Sequence, residues 1–135
     1  MKSKKFRLFC FVSVIGAALA LLLAGCGSGK ADHENVIGKT FVYEKEGFYG
    51  DFTISIKDDG TFTYYEGMAS SYLGIGEWTI GQNTLTLTNE VPSIDGSRTI
   101  TNAFEIEKGK LIWRAEGSDN FTYVKVEDGE AFKEK

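Results

Sequence analysis

Residues 51–66 read DFTISIKDDGTFTYYE, and this stretch decides the fold. Large apolar residues occupy every second position over Phe52–Ile56, which is the period of a β-strand with one buried face. After the turn-forming Asp58-Asp59-Gly60 the alternation resumes over Thr61–Glu66. The stretch therefore predicts an antiparallel β-hairpin.

The same unit recurs twice further along the chain. A second hairpin is predicted around Gly81-Gln82-Asn83 and a third around Lys108-Gly109. Their strands are Gly74–Ile80 with Thr84–Thr88, and Thr99–Glu107 with Lys110–Ala115.

Two further strands flank these hairpins, a first at Gly38–Lys45 and a last at Phe121–Val126. Eight sequential strands without a useful helical period predict an all-β, eight-stranded, antiparallel up-and-down meander barrel. An open β-sandwich of the same strands is the alternative. The predicted inward side chains are mostly large: Phe52, Ile54, Ile56, Phe62, Tyr64, Trp78, Ile80, Leu85, Leu87, Ile100, Phe104, Ile106, Leu111 and Trp113. We expect them to fill the barrel.

A resemblance to known families supports this fold. The opening Ile37-Gly38-Lys39-Thr40-Phe41-Val42 resembles the first strand of lipocalin-like and fatty-acid-binding-like barrels. The meander of hairpins with glycine at the turns is similar too. The resemblance covers most of residues 36–126 and implies fold more than function.

The N-terminus has the pattern of an export signal. Four positive charges fall in the first seven residues, and an uncharged run follows over Leu8–Leu23. Leu23-Ala24-Gly25-Cys26 resembles the lipobox of bacterial lipoproteins. That resemblance implies that residues 1–25 are a cleaved signal peptide and that Cys26 carries a lipid anchor of fatty-acyl chains such as palmitate. The alternative is an uncleaved transmembrane anchor, although the run is shorter than the ~20 residues that span a bilayer.

The predicted organisation continues with a flexible tether over residues 26–35, the β-barrel domain over 36–126 and a charged C-terminal tail over 127–135. We expect the tail to be frayed or to form one helical turn. Under this organisation the domain lies outside the cytoplasm, anchored to the cell membrane, and is a monomer.

Charge and residue usage exclude several functions. Beyond residue 25 there are eleven Lys and Arg against nineteen Asp and Glu, a net charge of −8. Such a balance argues against nucleic acid as a partner. Residues 36–135 contain neither His nor Cys, which removes His-based triads, Cys–His pairs and His-ligated metal sites. We expect no enzyme activity, no cofactor and no bound metal.

Loop lengths are asymmetric in the predicted meander. The second, fourth and sixth connections are tight turns, while the other four lie at the opposite end and include the long loops Glu66–Leu73 and Asn89–Arg98. Because the first strand starts at the tight-turn end, the Cys26 tether emerges there and the long loops point away from the membrane. Loops on a rigid scaffold are frequent sites of function. The candidate binding residues are Phe48, Tyr49, Met68, Ser70, Ser71, Tyr72, Ile94, Asp95 and Arg98. The alternative is that the aromatic members fold back and plug the barrel mouth.

These observations predict a non-catalytic, lipid-anchored extracytoplasmic binding module that contacts a protein or an envelope polymer through its long-loop end. One version is an inhibitor of a basic hydrolase such as lysozyme, because negative charge steers a cationic partner. The other hypothesis is a lipocalin-like carrier of a small apolar ligand.

Overall fold

The computed structural model describes residues 36–46, 50–67 and 71–135, in which eight β-strands form one closed barrel. Each strand pairs antiparallel with the next, and the last pairs with the first. The predicted all-β up-and-down barrel is confirmed, and the alternative of an open sandwich is wrong. The strands are β1 (Thr40–Tyr43), β2 (Phe52–Ile56), β3 (Thr61–Tyr65), β4 (Leu73–Gly81), β5 (Thr84–Ser93), β6 (Gly96–Glu107), β7 (Lys110–Arg114) and β8 (Ala131–Glu134).

The register of β1 against β2 decides which face of β1 is the inner one, a question that the sequence left open. Phe41 lies opposite Ile54, and Tyr43 lies opposite Phe52. Directly opposed residues share a face of the sheet. Phe41 and Tyr43 therefore point into the barrel, and both are buried.

The three tight turns lie where the sequence predicts them. At the β2–β3 turn the Asp59 carboxylate accepts a hydrogen bond from the backbone N–H of Thr61 at 2.9 Å. Gly60 has φ +86°, a conformation that glycine adopts without steric cost. At the β6–β7 turn both Lys108 and Gly109 have positive φ, 48° and 75°, as a two-residue turn matched to strand twist requires.

The eighth strand is not where the sequence predicts it. Phe121–Val126 forms no strand, and β8 lies instead in the segment predicted to be a charged tail. A strand of four residues between two neighbouring strands can be anchored in the core by a single large inward side chain, which here is Phe132. The charged residues around Phe132 concealed this short strand. Phe132 is fully buried opposite Leu111, while exposed Lys133 lies opposite Lys110.

Aromatic rings fill the described interior. The Phe132 ring lies 5.1 Å from Phe52 and 5.4 Å from Phe104, both edge-to-face, a favoured geometry for aromatic pairs. Of the fourteen side chains predicted to point inward, twelve are buried, while Trp78 and Ile80 are partly buried against the core. Because buried rings occupy the centre of the barrel, the barrel ends are where a recess can form.

Candidate functional site

The β5–β6 hairpin extends beyond its neighbours at the end where the odd-numbered connections lie, here called the loop end. β5 pairs with β6 over ten residue pairs. The β4–β5 ladder reaches only Thr88, and the β6–β7 ladder reaches only Ala103. Residues 90–93 and 96–99 therefore form a two-stranded ribbon, the projecting hairpin, with no third strand paired to it among the described residues.

The projecting hairpin corrects the prediction that Asn89–Arg98 is a long loop. The connection itself is only Ile94-Asp95, and the strands continue to its edges. Pro92 lies within β5, although proline lacks the N–H that a strand normally donates. Pro92 is paired with Ser97 on β6. At this pair the backbone N–H positions of both residues point away from the facing strand, so the proline costs no ladder hydrogen bond.

The second element of the site is the mouth segment, residues 118–126, which belongs to the long connection between β7 and β8. It is held by the carboxylate of Glu66, at the end of β3. Glu66 accepts hydrogen bonds from the backbone N–H groups of Thr122 at 3.2 Å, Tyr123 at 2.6 Å and Val124 at 2.9 Å. This side chain is 1% exposed, and burying a carboxylate is costly without such donors. Glu66 therefore fixes the course of the mouth segment.

Phe121 of the mouth segment packs onto the top of the core. Its ring centroid lies 4.7 Å from that of Phe52, 5.9 Å from Tyr64 and 6.3 Å from Trp113. Val124 and Val126 are buried nearby in the same core. The plug at the barrel mouth is thus built by this segment, from residues that the sequence assigned to the last strand.

Between these elements lies a groove of about 490 Å³ at the loop end. Its lining combines aromatic and aliphatic side chains with one guanidinium and several small polar groups. The lining residues are Tyr64, Tyr72, Val91, Pro92, Arg98, Ile100, Asn120, Phe121, Thr122 and Tyr123.

Arg98 supplies the groove's charge and ties its two walls together. The guanidinium donates from Nη2 to Oδ1 of Asp119 at 2.9 Å, linking β6 to the mouth segment. Asp119 also accepts from the backbone N–H of Thr101 at 2.9 Å. The Thr101 hydrogen bond, and then the neighbouring Arg98, hold the pKa of Asp119 below its ordinary value of 3.8. The Arg98 side chain remains 61% exposed.

Two tyrosines form the opposite part of the lining. The Tyr72 and Tyr64 rings have centroids 6.2 Å apart in an edge-to-face arrangement. Burial, followed by the nearby Tyr72 and Glu66, raises the pKa of Tyr64 to about 12. Tyr64 therefore stays a neutral hydrogen-bonding group at any physiological pH.

The predicted binding residues are distributed unevenly around this groove. Tyr72 and Arg98 line it. Ser71 is exposed outside the lining, and Ile94 and Asp95 are exposed at the tip of the projecting hairpin. Phe48, Tyr49, Met68 and Ser70 lie outside the described residues, as does Cys26.

Sequence reasoning missed most of the apolar lining. Val91 and Pro92 were assigned to a loop, and Phe121 and Tyr123 to a strand. Phe121 and Tyr123 alternate just as strand residues do. The sequence signal was Glu66, a carboxylate directly after an alternating strand, which needs hydrogen-bond donors from elsewhere if it is buried.

Neither metal ligands nor a membrane-spanning helix emerges from the described part of the chain. Over residues 36–46, 50–67 and 71–135, no group of three or more His, Cys, Asp or Glu side chains is arranged to hold a metal ion. No helix in those ranges is long and apolar enough to cross a membrane.

Comparison with known proteins found no matching family model, no matching curated protein and no matching solved structure.

Proposed function

We propose that this chain is a non-catalytic binding module, held by a lipid on Cys26 at the outer face of the cell membrane, that contacts a protein or envelope component through the loop-end groove. The observation that carries the proposal is the groove itself. It places Tyr72, Phe121 and Tyr123 beside Arg98 at one end of a barrel whose interior is occupied by side chains. Aromatic residues and arginine are the types that contribute most to protein recognition.

The accessibility of these groups supports recognition rather than core packing alone. Tyr123 is 53% exposed, whereas Val124 and Val126 of the same mouth segment are buried. Ile94, at the tip of the projecting hairpin, is fully exposed. The exposed Tyr123 ring within the groove lining is therefore available to a partner.

The position of the lipid anchor determines how the groove is oriented relative to the membrane. β1 begins at the tight-turn end of the barrel, and the described chain leads into this strand from residue 36. A lipid on Cys26 joins the barrel through a tether of ten residues, which spans at most ~33 Å. The groove, at the opposite end, would then face away from the membrane.

Charge favours a basic partner. The net charge of −8 beyond the signal attracts cationic proteins and speeds their encounter. An inhibitor of a basic hydrolase such as lysozyme is one version of this function.

The lipid anchor is tested by labelling. Cells that make the wild-type chain are grown with radiolabelled palmitate, beside cells that make Cys26→Ala. We expect label in the wild type and none in the variant. Equal label in both would refute the anchor and leave the groove proposal standing.

The groove is tested by affinity capture with the full chain in detergent micelles. Tyr123→Ser removes an exposed aromatic group from the groove, and Ile75→Ser is the matched control because Ile75 is 60% exposed but lies outside the groove lining. We expect one envelope component to be retained by wild type and by Ile75→Ser, and to be lost with Tyr123→Ser. Equal retention by all three proteins would exclude the groove.

A second function is favoured by the size of the groove. About 490 Å³ lies within the range of small-molecule sites, and Tyr64, Ile100 and Phe121 give it apolar walls that continue into the core. This arrangement suits a carrier of a small apolar ligand held at the mouth. Saturable one-to-one binding of a fluorescent fatty acid, weakened by Tyr123→Ser, would favour this second function.

A further inference from the structure

The two edges of the projecting hairpin carry backbone groups that point away from its own ladder. The backbone N–H of Ile106 donates to Asn83 O at 2.9 Å, on the β5 side of β6. Thr101 and Ala103 instead direct their N–H groups to the mouth segment, at 2.9 Å and 2.8 Å. Because the direction alternates along a strand, Thr99 and Ser97 point their N–H and C=O groups outward on the same side as Thr101.

The chain already uses part of this β6 edge itself. The N–H of Asp119 donates to the carbonyl oxygen of Thr101 at 2.7 Å, and the Asp119 carboxylate accepts from Thr101 in return. Further along the mouth segment, the backbone of Thr122, Tyr123 and Val124 is held by Glu66 instead. Among the described residues, no hydrogen bond continues this row at Thr99 or Ser97.

The opposite edge, on β5, is protected. Pro92 has no N–H and interrupts the row of outward donors there, a common way in which proteins prevent unwanted strand pairing. The β6 edge has Ser97, Arg98 and Thr99 and no such block. This asymmetry leaves one edge of the hairpin open to a partner strand.

We propose that an extended, cationic segment of a partner protein adds as a strand to β6 at Ser97 and Thr99 and inserts side chains into the loop-end groove. This inference rests on the proposed function and specifies its partner class. Backbone hydrogen bonds give such strand addition its affinity, and adjoining pockets give it specificity. Glu90 lies opposite Thr99 and Asp95 lies at the hairpin tip, while Asp119 is paired with Arg98, so the charge near this edge is net negative and favours positive side chains on the added segment.

A second copy of this chain fits the edge poorly. Symmetric antiparallel pairing about Arg98 would place the two Arg98 residues opposite each other. It would also direct the Ile94-Asp95 tip of each copy at the Ser118–Asp119 stretch of the other, which already occupies the edge at Thr101. A separate, slender strand avoids both conflicts.

The test combines proline substitution with a defined peptide. The probe is a capped nine-residue peptide of alternating lysine and valine, titrated by calorimetry into the full chain in micelles. Thr99→Pro removes the outward N–H at the open edge without breaking a β5–β6 ladder bond. Glu90→Pro is the matched control, because Glu90 lies directly opposite Thr99 and directs its N–H to the edge that Pro92 already interrupts.

We expect the peptide to bind wild type and Glu90→Pro alike, and to bind Thr99→Pro about tenfold more weakly, as the loss of one edge hydrogen bond with an acceptor left unpaired implies. An analogue N-methylated on alternate backbone nitrogens, so that one edge cannot donate, should lose binding as well. Binding that falls with Tyr123→Ser but is equal for the two proline variants would overturn strand addition and leave the groove proposal intact. Equal peptide affinity for wild type and all the variants would overturn strand addition by a cationic segment and would also count against the groove. Absence of binding at millimolar peptide would overturn strand addition alone.

Discussion

The Glu66 carboxylate accepts a hydrogen bond from the backbone N–H of Tyr123 at 2.6 Å and thereby joins the end of β3 to the mouth segment, 57 residues away in sequence. Thr122 and Val124 donate to the same carboxylate. One buried side chain thus sets the position of the exposed Tyr123 ring at the groove. The geometry of the candidate binding surface depends on a residue that does not line it.

Replacing Glu66 by alanine should destabilise the barrel by about 2–4 kcal/mol, because three backbone donors near the core lose their acceptor. Urea denaturation measures the change in the free energy of unfolding. Glu77→Ala, at an exposed position on β4, should alter it by no more than ~0.5 kcal/mol. Similar values for the two variants would contradict the role given to Glu66.

Phe132→Ala should cost about 3–5 kcal/mol, because Phe132 is fully buried and its ring packs against Tyr43, Phe52 and Phe104. Lys133→Ala, at the exposed neighbouring position of β8, should cost little. Thermal unfolding monitored by circular dichroism distinguishes them. A negligible effect of Phe132→Ala would mean that residues 127–135 are a tail after all.

Gly76→Ala should destabilise the protein by about 1–3 kcal/mol or more, since an added Cβ would overlap the Thr88 carbonyl oxygen and crowd the Phe62 ring. Gly81→Ala on the same strand is the control, because a Cβ there meets nothing within 4 Å. Chemical denaturation of both variants gives the comparison. Equal stability would show that β4 and β5 do not approach as closely as described at Gly76.

Acid should weaken the contact between β6 and the mouth segment. The pKa of Asp119 lies below 3.8 in the folded protein, so its contribution is complete above that pH and is lost as the pH falls through the lower, folded-state pKa. Asp119→Asn removes this titration. Stability measured from pH 5 down to roughly pH 2 should fall more steeply for wild type than for the variant. Parallel curves for the two proteins would contradict the assignment.

Strand period and turn chemistry predicted the barrel well. The alternation in residues 51–66 placed β2 and β3 to within one residue, and all three tight turns lie where glycine and its neighbours indicated. These features are local, so they are legible in a single sequence. The same alternation correctly placed Phe104, Leu111 and Trp113 in the core.

The loop end was less predictable because its structure depends on distant partners. Phe121–Val126 alternates as a strand does, yet Glu66 takes the N–H groups that a neighbouring strand would otherwise use. Proline usually indicates a loop, but Pro92 is paired with Ser97 at a position where the strand ladder requires no N–H from it. Of the predicted binding residues, Tyr72 and Arg98 line the groove. The residues of its apolar lining were predicted to belong to other elements.

The most direct measurement of the groove's function is site-specific photocrosslinking in the cells that make this chain. A photoreactive amino acid replaces Tyr123, in the groove, or Ile75, which is comparably exposed on the outer face of β4. If the groove binds an envelope partner, a discrete crosslinked product forms from position 123, is absent from position 75, and disappears when Arg98→Ala is added. Products that are absent from position 123, or the same from both positions, would contradict a binding role for the groove.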